Sequence, residues 1–490
     1  MEKNGEYIGE VLSLGSEGEG VIKLDGCTAF VPFCLKGERV SFRALKVGGG
    51  VAYGKLSEVH SVSDDRVTPV CPHFEKCGGC QLQHAAYSAQ LDFKRALVQN
   101  CLNKIAGISA EVNPTVASKR QYGYRNKLAL PVGVDENGAL AVGFYAPRSH
   151  RIVPVNSCAL QAEWSGALIR TVTEFIKENN LRGYDEATGK GDVRHLVARE
   201  VDGKAVITVV ATRAIDLSPF AAKLAAIFKK FTLWLNVNTS KGNAILGKEW
   251  HICRGEGYFY GEDGGIKFKA GANTFLQVND DVRAKLYRAV LDAVKDKDAA
   301  AVDLYSGGGM LTAMLAKECR AAYGVEIVPE AVACADELKR LNGLDDKMFN
   351  FCGAVEERIG EVFTLTAGLK RTVVCDPPRK GMERSVVRAI LKSGADKVVL
   401  VSCNPATLAR DLGLLTGSLI EVDGQLVKNA RYAGDGCAQS CAGDNMRGEK
   451  EDGDMREEKE DGRYRIISIT PFDMFPQTKH VETLVVLGRA

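Results

Sequence analysis

Beyond about residue 275 the chain alternates short apolar runs with helical stretches, and no other feature constrains the fold as tightly. The runs at 301–304, 323–326, 372–374 and 397–401 are each short enough for one strand, and helical patterns lie between them. Parallel strands cannot be joined by a tight turn and need a crossover, usually a helix. The pattern therefore predicts an α/β domain built on a parallel sheet at 276–490. Upstream, 124–269 reads mostly as strands, with hairpin signals at Glu136-Asn137-Gly138 and Asp202-Gly203. An amphipathic helix is expected near 88–105. The first 60 residues carry glycine-broken strands at 7–14, 20–24, 29–32, 38–44 and 51–57, the pattern of a small closed β-barrel. The expected division is 1–60, 61–275 and 276–490, and a chain of 490 residues suits about three domains.

Hydrophobic residues make up 45% of the chain and charged residues 26%, the mix of a soluble globular protein. No window approaches the ~18 apolar residues of a membrane span. The opening Met1-Glu2-Lys3-Asn4-Gly5 has no apolar run behind it, which argues against a secretory signal. A cytoplasmic protein is expected, monomeric and without an evident protein partner. Its fifteen cysteines should then be ligands, nucleophiles or packing residues rather than a disulfide framework. An imperfect tandem repeat at 445–462, inside a low-complexity insertion at 425–463, is too polar to pack and is expected to be disordered. Residues 444–462 carry a net charge of −5, which leaves +7 on the rest of a chain whose total is +2. That balance gives modest support to a phosphate-bearing partner.

The run Val302-Asp303-Leu304-Tyr305-Ser306-Gly307-Gly308-Gly309 reads as a strand followed by a nucleotide-type cofactor loop. Glu326 ends the next strand, where a carboxylate can hold both ribose hydroxyls. A nicotinamide fingerprint would place a third glycine where Thr312 stands. Asp303 just before the glycines instead favours S-adenosylmethionine (SAM). Val374-Cys375-Asp376-Pro377-Pro378-Arg379 puts a carboxylate and a rigid loop at another strand end, where ligands of open α/β sheets bind.

Val401-Ser402-Cys403-Asn404-Pro405 places a cysteine at a strand-to-helix transition, where amide N–H groups can lower its pKa. Phe475-Pro476-Gln477-Thr478-Lys479-His480-Val481-Glu482 opens the last strand and supplies a carboxylate to the same pocket. Carbon 5 of uracil is a poor nucleophile until a thiolate adds to carbon 6. After methyl transfer, a base must remove the surplus proton on carbon 5 before the cysteine leaves. That chemistry needs a cysteine, a carboxylate and SAM, a set that Cys403, Glu482 and the 302–326 loop would supply.

With Asp376-Pro377-Pro378-Arg379-Lys380-Gly381, Ser402-Cys403-Asn404-Pro405 and Met474 to Glu482, the chain resembles the RNA 5-methyluridine methyltransferase family over nearly all of its length outside 425–463. The resemblance implies a Rossmann-like SAM domain at the C-terminus, an N-terminal TRAM (OB-like) β-barrel, a β-rich central domain and an iron–sulfur cluster. It implies Cys403 as nucleophile and Glu482 as base. It also implies Gln277, Tyr305, Gly307, Glu326 and Asp376 as contacts to cofactor or base. The substrate it implies is RNA with the base extruded, 23S rRNA ahead of tRNA because the barrel and cluster go with the ribosomal branch. Two departures stand out. Cys352-Gly353-Ala354 replaces the family's Gly-Asp, which removes one expected adenine contact, and Tyr305-Ser306-Gly307 replaces Tyr-Cys-Gly.

Cys71, Cys77 and Cys80 sit on one tight turn, with Cys158 as the fourth ligand. Four thiolates suit zinc or an iron–sulfur cluster, and the three-plus-one layout is that of a cluster. The resemblance implies [4Fe–4S]. A radical-SAM methylthiotransferase, whose motif is Cys-x3-Cys-x2-Cys, and a non-catalytic RNA-binding protein are the rival readings. Cys27, Cys34, Cys101, Cys253, Cys319, Cys334 and Cys352 read as packing residues, Cys375 as buried strand, and Cys437 and Cys441 as exposed thiols. The basic residues Lys36, Arg39, Arg43, Lys46 and Lys55 read as a solvated barrel face. Tyr122-Gly123-Tyr124-Arg125-Asn126-Lys127, aromatics among cations, suits RNA.

Overall fold

The computed structural model describes residues 1–274, 276–430, 432 and 463–490. The chain divides into two compact units, each made of three separate segments. The first comprises 1–94, 117–285 and 473–480; the second comprises 95–116, 286–472 and 481–490.

The first unit opens with a six-stranded sheet of β1 (Glu6–Glu10), β2 (Ser13–Leu14), β3 (Gly20–Leu24), β4 (Cys27–Val31), β5 (Arg39–Gly48) and β6 (Val51–Ser61), in the order β1-β5-β6-β4-β3-β2. Alternation in β5 turns Val40, Phe42 and Ala44 inward and leaves Arg39 and Arg43 in solvent. The sheet curls back on itself: the Leu12 amide donates to the Val21 carbonyl at 2.9 Å, just past β1. A Cβ on Gly9 would lie 2.5 Å from Ile22, so only glycine permits that approach. The five cations from Lys36 to Lys55 are all exposed, as a solvated face requires. Beneath the sheet, buried Glu38 accepts two bonds from the Arg66 guanidinium, 2.6 and 2.7 Å long, and so ties down the chain that follows β6.

Helix α1 (Tyr87–Cys101) follows and continues into a π-turn at Leu102–Ala106. A seven-stranded sheet then forms from β7 (Lys127–Val134), β8 (Leu140–Tyr145), β9 (Ile152–Pro154), β10 (Val193–Val201), β11 (Lys204–Ala211), β12 (Lys230–Val237) and β13 (Glu249–Arg254), in the order β13-β12-β11-β10-β7-β8-β9. Both expected hairpins are present, β7–β8 and β10–β11. At the second, Asp202 and Gly203 take φ of 50° and 72°, the pair that a two-residue hairpin needs. Helices α2 (Trp164–Glu178) and α3 (Ser218–Leu224) bury Phe175 and Phe220 against each other in the core of this sheet. The hairpin β14 (Tyr258–Asp263)–β15 (Ile266–Gly271) and helix α4 (Asp280–Val294) lead out of the unit.

The second unit alternates as its sequence predicts: β16 (Asp296–Leu304), α5 (Met310–Glu318), β17 (Cys319–Glu326), α6 (Pro329–Leu341), β18 (Met348–Cys352), α7 (Val355–Leu365), β19 (Lys370–Cys375), α8 (Arg384–Ser393), β20 (Lys397–Ser402) and α9 (Pro405–Thr416). A small hairpin, β21 (Leu419–Val422)–β22 (Gln425–Lys428), precedes the last strands, β23 (Tyr464–Phe472) and β24 (Glu482–Arg489). The sheet order is β18-β17-β16-β19-β20-β24-β23. Its first five strands are parallel, β24 pairs antiparallel with β20, and β23 pairs antiparallel with β24. Val386, Val387 and Ile390 give α8 one buried face, and fully burying one such side chain stabilises by about 1.5–3 kcal/mol. Strand order reverses beside β16, which has β17 on one side and β19 on the other, and a crevice opens at such a point. The stretch expected to be low-complexity from 425 begins instead with β22, because Asp423-Gly424 (φ 49° and 76°) forms a hairpin turn. The tandem repeat, Cys437 and Cys441 lie outside the described residues.

Candidate active site

Strand register brings the expected residues of the second unit into one row. Leu304 of β16 pairs with Val325 of β17 and with Cys375 of β19. Tyr305, Glu326 and Asp376 therefore sit side by side where these strands end. On the other side, Ser402 of β20 pairs antiparallel with Thr483 of β24. Continuing that register by one residue sets Cys403 opposite Glu482, and directly opposed residues have Cα atoms ~4.5–5.5 Å apart. Along the carboxyl edge the order is Glu326, Tyr305, Asp376, Cys403, Glu482.

The glycine loop has an open side and a closed side. Tyr305 (φ 68°), Gly307 (53°) and Gly309 (80°) turn the backbone sharply into α5. A Cβ on Gly309 would lie 2.6 Å from the Ala335 Cβ, whereas Gly307 and Gly308 have nothing within 4 Å. Free space above two glycines lets a ligand approach the backbone. Glu326 is fixed by main-chain donors: the Gly307 and Val328 amides each reach one of its oxygens at 2.9 Å. Each oxygen keeps a free lone pair, as a ribose diol would require. Thr312, which stands where a dinucleotide loop has glycine, donates its hydroxyl to buried Asp303 at 2.6 Å. Burial pushes the Asp303 carboxyl up to about 7 despite that bond, and Asp376 and Glu326 add to the push.

The charges at the other end of the row also interact. Enclosure by protein raises Asp376 to about 7, although part of its side chain faces solvent. Burial, then the charge of Asp376, drives Glu482 well above the usual carboxylate range, and Arg379 partly offsets both. Cys403 departs from expectation. Burial, then Glu482, raises its thiol, Arg379 lowers it, and the amide contribution is the smallest of its causes. The strand-to-helix transition therefore does not leave a low-pKa thiol. Asn404 joins the two loops: its Oδ1 accepts from the Ala406 amide at 3.1 Å, capping α9, and its Nδ2 donates to the Arg379 carbonyl at 2.9 Å. The sequence motifs contained Arg379 and Asn404, but only the folded loops show what they do. Cys375 is fully buried, as expected. Ala354 occupies the N-cap of α7 with no side-chain bond, so the missing aspartate is also a missing cap.

Gln277 belongs to the first unit, where its carbonyl accepts from Asn126 and Arg283, each at 3.2 Å. The register that gathers the other residues does not include it. Cys71, Cys77, Cys80 and Cys158, also of the first unit, line one cavity with about 80 Å³ of free space, together with Arg125 and Phe144. Burial raises Cys77 and Cys158 and pushes Cys80 up to about 12, and the neighbouring thiols add to each shift. Gly78 fits the turn beneath the Tyr145 carbonyl, which its amide reaches at 2.9 Å. Among the described residues no group of three or more His, Cys, Asp or Glu side chains is arranged to hold a metal ion. The four thiols thus share a cavity without forming a ready-made ion site.

Two expectations need correction. Tyr124 does not offer a stacking face, because it is buried and its hydroxyl donates to the Pro476 carbonyl at 3.1 Å. Cys253, Cys334 and Cys352 are exposed rather than packed.

Comparison with known proteins agrees with this geometry. A family model described as tRNA (Uracil-5-)-methyltransferase matches residues 86–420. The chain is 36% identical to an uncharacterized RNA methyltransferase of Halalkalibacterium halodurans, covering 99% of this chain and 98% of that protein. It is 34% identical to another from Clostridium acetobutylicum, over 100% and 98%. Among solved structures, the tRNA (uracil-54, C5)-methyltransferase of Pyrococcus abyssi, in complex with S-adenosyl-L-homocysteine, matches with a TM-score of 0.73 and 24% identity. That match covers 98% of this chain and 99% of that one, and at such identity it speaks for the fold. No helix among the described residues is long and apolar enough to cross a membrane.

Proposed function

Because the chain belongs to the tRNA (uracil-5-)-methyltransferase family of SAM-dependent RNA methyltransferases, we propose that it methylates carbon 5 of a uridine in structured RNA through a covalent bond between Cys403 and carbon 6. The observation that carries this reading is the register that sets Cys403 opposite Glu482, beside Asp376 and the glycine loop. Bound SAM supplies an electrophilic methyl group.

Cys403 loses its thiol proton to solvent, its sulfur adds to carbon 6 of the base, and the ring's electrons move onto carbon 5 and the carbonyl at position 4. Carbon 5 takes the methyl group, and the carbon–sulfur bond that breaks leaves its electron pair on sulfur, which becomes a neutral thioether. Glu482, ionised for this step, removes the proton on carbon 5, and the returning electron pair expels the Cys403 thiolate. Its raised pKa makes it a stronger base than an exposed glutamate. Arg379, whose charge reaches both Cys403 and Glu482, favours the two anions. Glu326, Tyr305 and Gly307 would hold SAM, and Asp376 would contact cofactor or base.

The three-part division at 1–60, 61–275 and 276–490 and a cytoplasmic location belong to the same reading. The first sheet would be a TRAM barrel, with Arg43, Lys46 and Lys55 on its solvated face. Cys71, Cys77, Cys80 and Cys158, which line one cavity, would hold a [4Fe–4S] cluster. Its part is to fix their turn, and no step of methyl transfer uses it. Purification without oxygen, followed by iron and sulfide analysis, tests this; a protein that binds only zinc overturns it.

The substrate favoured is 23S rRNA. A second reading, tRNA, draws on the Pyrococcus abyssi tRNA enzyme, whose fold matches over almost the whole chain. Offering wild type, Cys403→Ala and Glu482→Gln both RNAs carrying 5-fluorouridine, with SAM, tests mechanism and substrate together. Fluorine cannot leave as a proton does, so the wild type should be trapped on its true substrate and Cys403→Ala on neither. An adduct formed without Cys403 would overturn the nucleophile assignment.

A further inference from the structure

Strand β8 is a wall shared by two cavities of the first unit. Phe144 lines the thiol cavity, and Tyr145, pointing to the opposite face, lines a second one with about 150 Å³ of free space. His150, Tyr184, Glu186, Arg194 and His195 complete the working part of its lining.

This second cavity is held in shape by close backbone packing. The segment carrying Tyr184 and Glu186 lies against β7, where the Tyr184 amide donates to the carbonyls of Val132 (3.2 Å) and Val193 (2.9 Å). A Cβ on Gly183 would lie 2.1 Å from the Gly133 carbonyl oxygen, and one on Gly191 2.3 Å from that of Gly183. Glycine at these positions is what allows the segment to seat, so the wall is fixed before any ligand arrives.

Its chemistry is specific. Arg194 is 6% exposed, and its Nη1 donates to the carbonyls of Asn238 (2.9 Å) and Ser240 (2.6 Å). Its guanidinium lies 4.3 Å over the Tyr184 ring. Arg194 Nε and His195 Nδ1 are both buried and have no protein partner, and a buried polar nitrogen left unbonded is costly unless a ligand completes it. On the facing wall, the Tyr145 hydroxyl donates to Glu186 at 3.1 Å, His150 Nδ1 lies 2.6 Å from the other Glu186 oxygen, and the two rings are 5.2 Å apart. Asp185, held by the Thr188 hydroxyl and the Ala187 amide, adds a second carboxylate. Burial, then Arg194, holds His195 well below its usual range, at about 4, so it is neutral.

One buried cation set against two carboxylates repels a phosphate. Aromatic walls, a deep unmet donor and an acceptor at the mouth fit a flat, neutral ring with hydrogen-bonding edges. We propose that this cavity is a second base-binding site, which takes one unstacked base of the substrate RNA other than the uridine that is methylated. The inference rests on the reading of the chain as an RNA methyltransferase, and it adds a determinant of which RNA is chosen.

The test uses the full-length protein and the RNA hairpin that it methylates, made as a set in which one base at a time is removed. Ala187→Trp fills the cavity from its exposed rim and His150→Ala opens it, and neither residue is buried. Wild type should lose roughly tenfold in affinity at one abasic position away from the target. Both variants, with unchanged melting temperatures, should lose a similar factor on intact RNA and nothing further on that abasic RNA. Variants that bind intact RNA within about twofold of wild type, or that lose affinity independently at every abasic position, overturn the proposal. Trapping on 5-fluorouridine RNA is scored in parallel. If wild type forms no adduct, it is the methyltransferase reading that fails, whereas normal trapping with unaffected variants refutes the second site alone.

Discussion

Replacing Asp473 with asparagine asks whether the segment leading into Glu482 depends on a single buried charge pair. Lys94 and Asp473 pair with neither side chain exposed to solvent. Lys94 Nζ also donates to the Phe475 carbonyl at 3.0 Å, and the Tyr87 hydroxyl donates to the second Asp473 oxygen at 2.7 Å. Burial pushes the Lys94 ammonium below its usual range, and only Asp473 opposes that. Desolvating two ions costs several kcal/mol each, so the intact pair adds little net stability, but stranding one of them costs about 3–5 kcal/mol. Asp473→Asn keeps the shape and an acceptor for Tyr87 while removing the charge, so the first unit should lose about that amount. A chain with two compact units need not unfold in one step. All three tryptophans, Trp164, Trp234 and Trp250, lie in the first unit, so their fluorescence in urea follows that unit. Lys94→Met combined with Asp473→Leu should recover most of the loss. A single-variant loss below about 1 kcal/mol, or a double variant that loses the sum of its singles, would refute the argument.

Other expected outcomes concern the second unit and the pH response. Gly309→Ala, with φ at 80° and no room for a Cβ, should lower stability by more than about 1 kcal/mol in a thermal melt. Gly308→Ala has space and should melt like wild type yet bind SAM more weakly by calorimetry; unchanged affinity would show that the loop does not cradle the cofactor. Ala354→Asp should cap α7 and add about 0.5–1 kcal/mol, and an unchanged melting curve would count against that. Asp303, raised from 3.8 to about 7, binds its proton more tightly in the folded unit than in the unfolded chain. Its contribution is complete below pH 4 and lost as pH climbs to 7, by at most on the order of 4 kcal/mol, and Asp303→Asn should flatten the slope. Glu38 behaves oppositely. Burial would raise its carboxyl, but the Arg66 bonds and the Leu35 amide outweigh this and hold it low, so the stability it confers is present above 4.5 and lost on acidification. Methyl transfer should speed up as pH rises through and beyond the ordinary carboxylate and thiol ranges, because Glu482 and Cys403 both have raised pKa values and both must deprotonate. A maximum at lower pH would contradict those roles.

The parts of the fold that were legible in the sequence are those set by local pattern. The strand at 20–24, the Asp202-Gly203 hairpin and the alternation after 275 need only side-chain periodicity and turn chemistry, and each stands as expected. Asp423-Gly424 carries the same turn signal, but the polar sequence around it hides the hairpin. Cys403, Glu482, Glu326 and Asp376 stand in one row at strand ends, which is where α/β sheets present chemistry. Their mutual charge effects were not legible, since raised pKa values come from enclosure by residues far apart in sequence. Tyr124 misled for the same reason: an aromatic among cations looks the same whether it faces RNA or a buried carbonyl. The cavity around Arg194 left no motif at all, because glycines scattered from 133 to 191 build its wall.

The segmented first unit has a consequence for synthesis on the ribosome. Residues 1–94 emerge well before 473–480, yet both belong to the same unit. Domains usually fold in order of emergence, but this one cannot finish until residues 473–480 have been translated. A product cut short anywhere before Asp473 would leave the Lys94 ammonium without its counter-ion, and proteases that survey unfinished chains should clear it quickly.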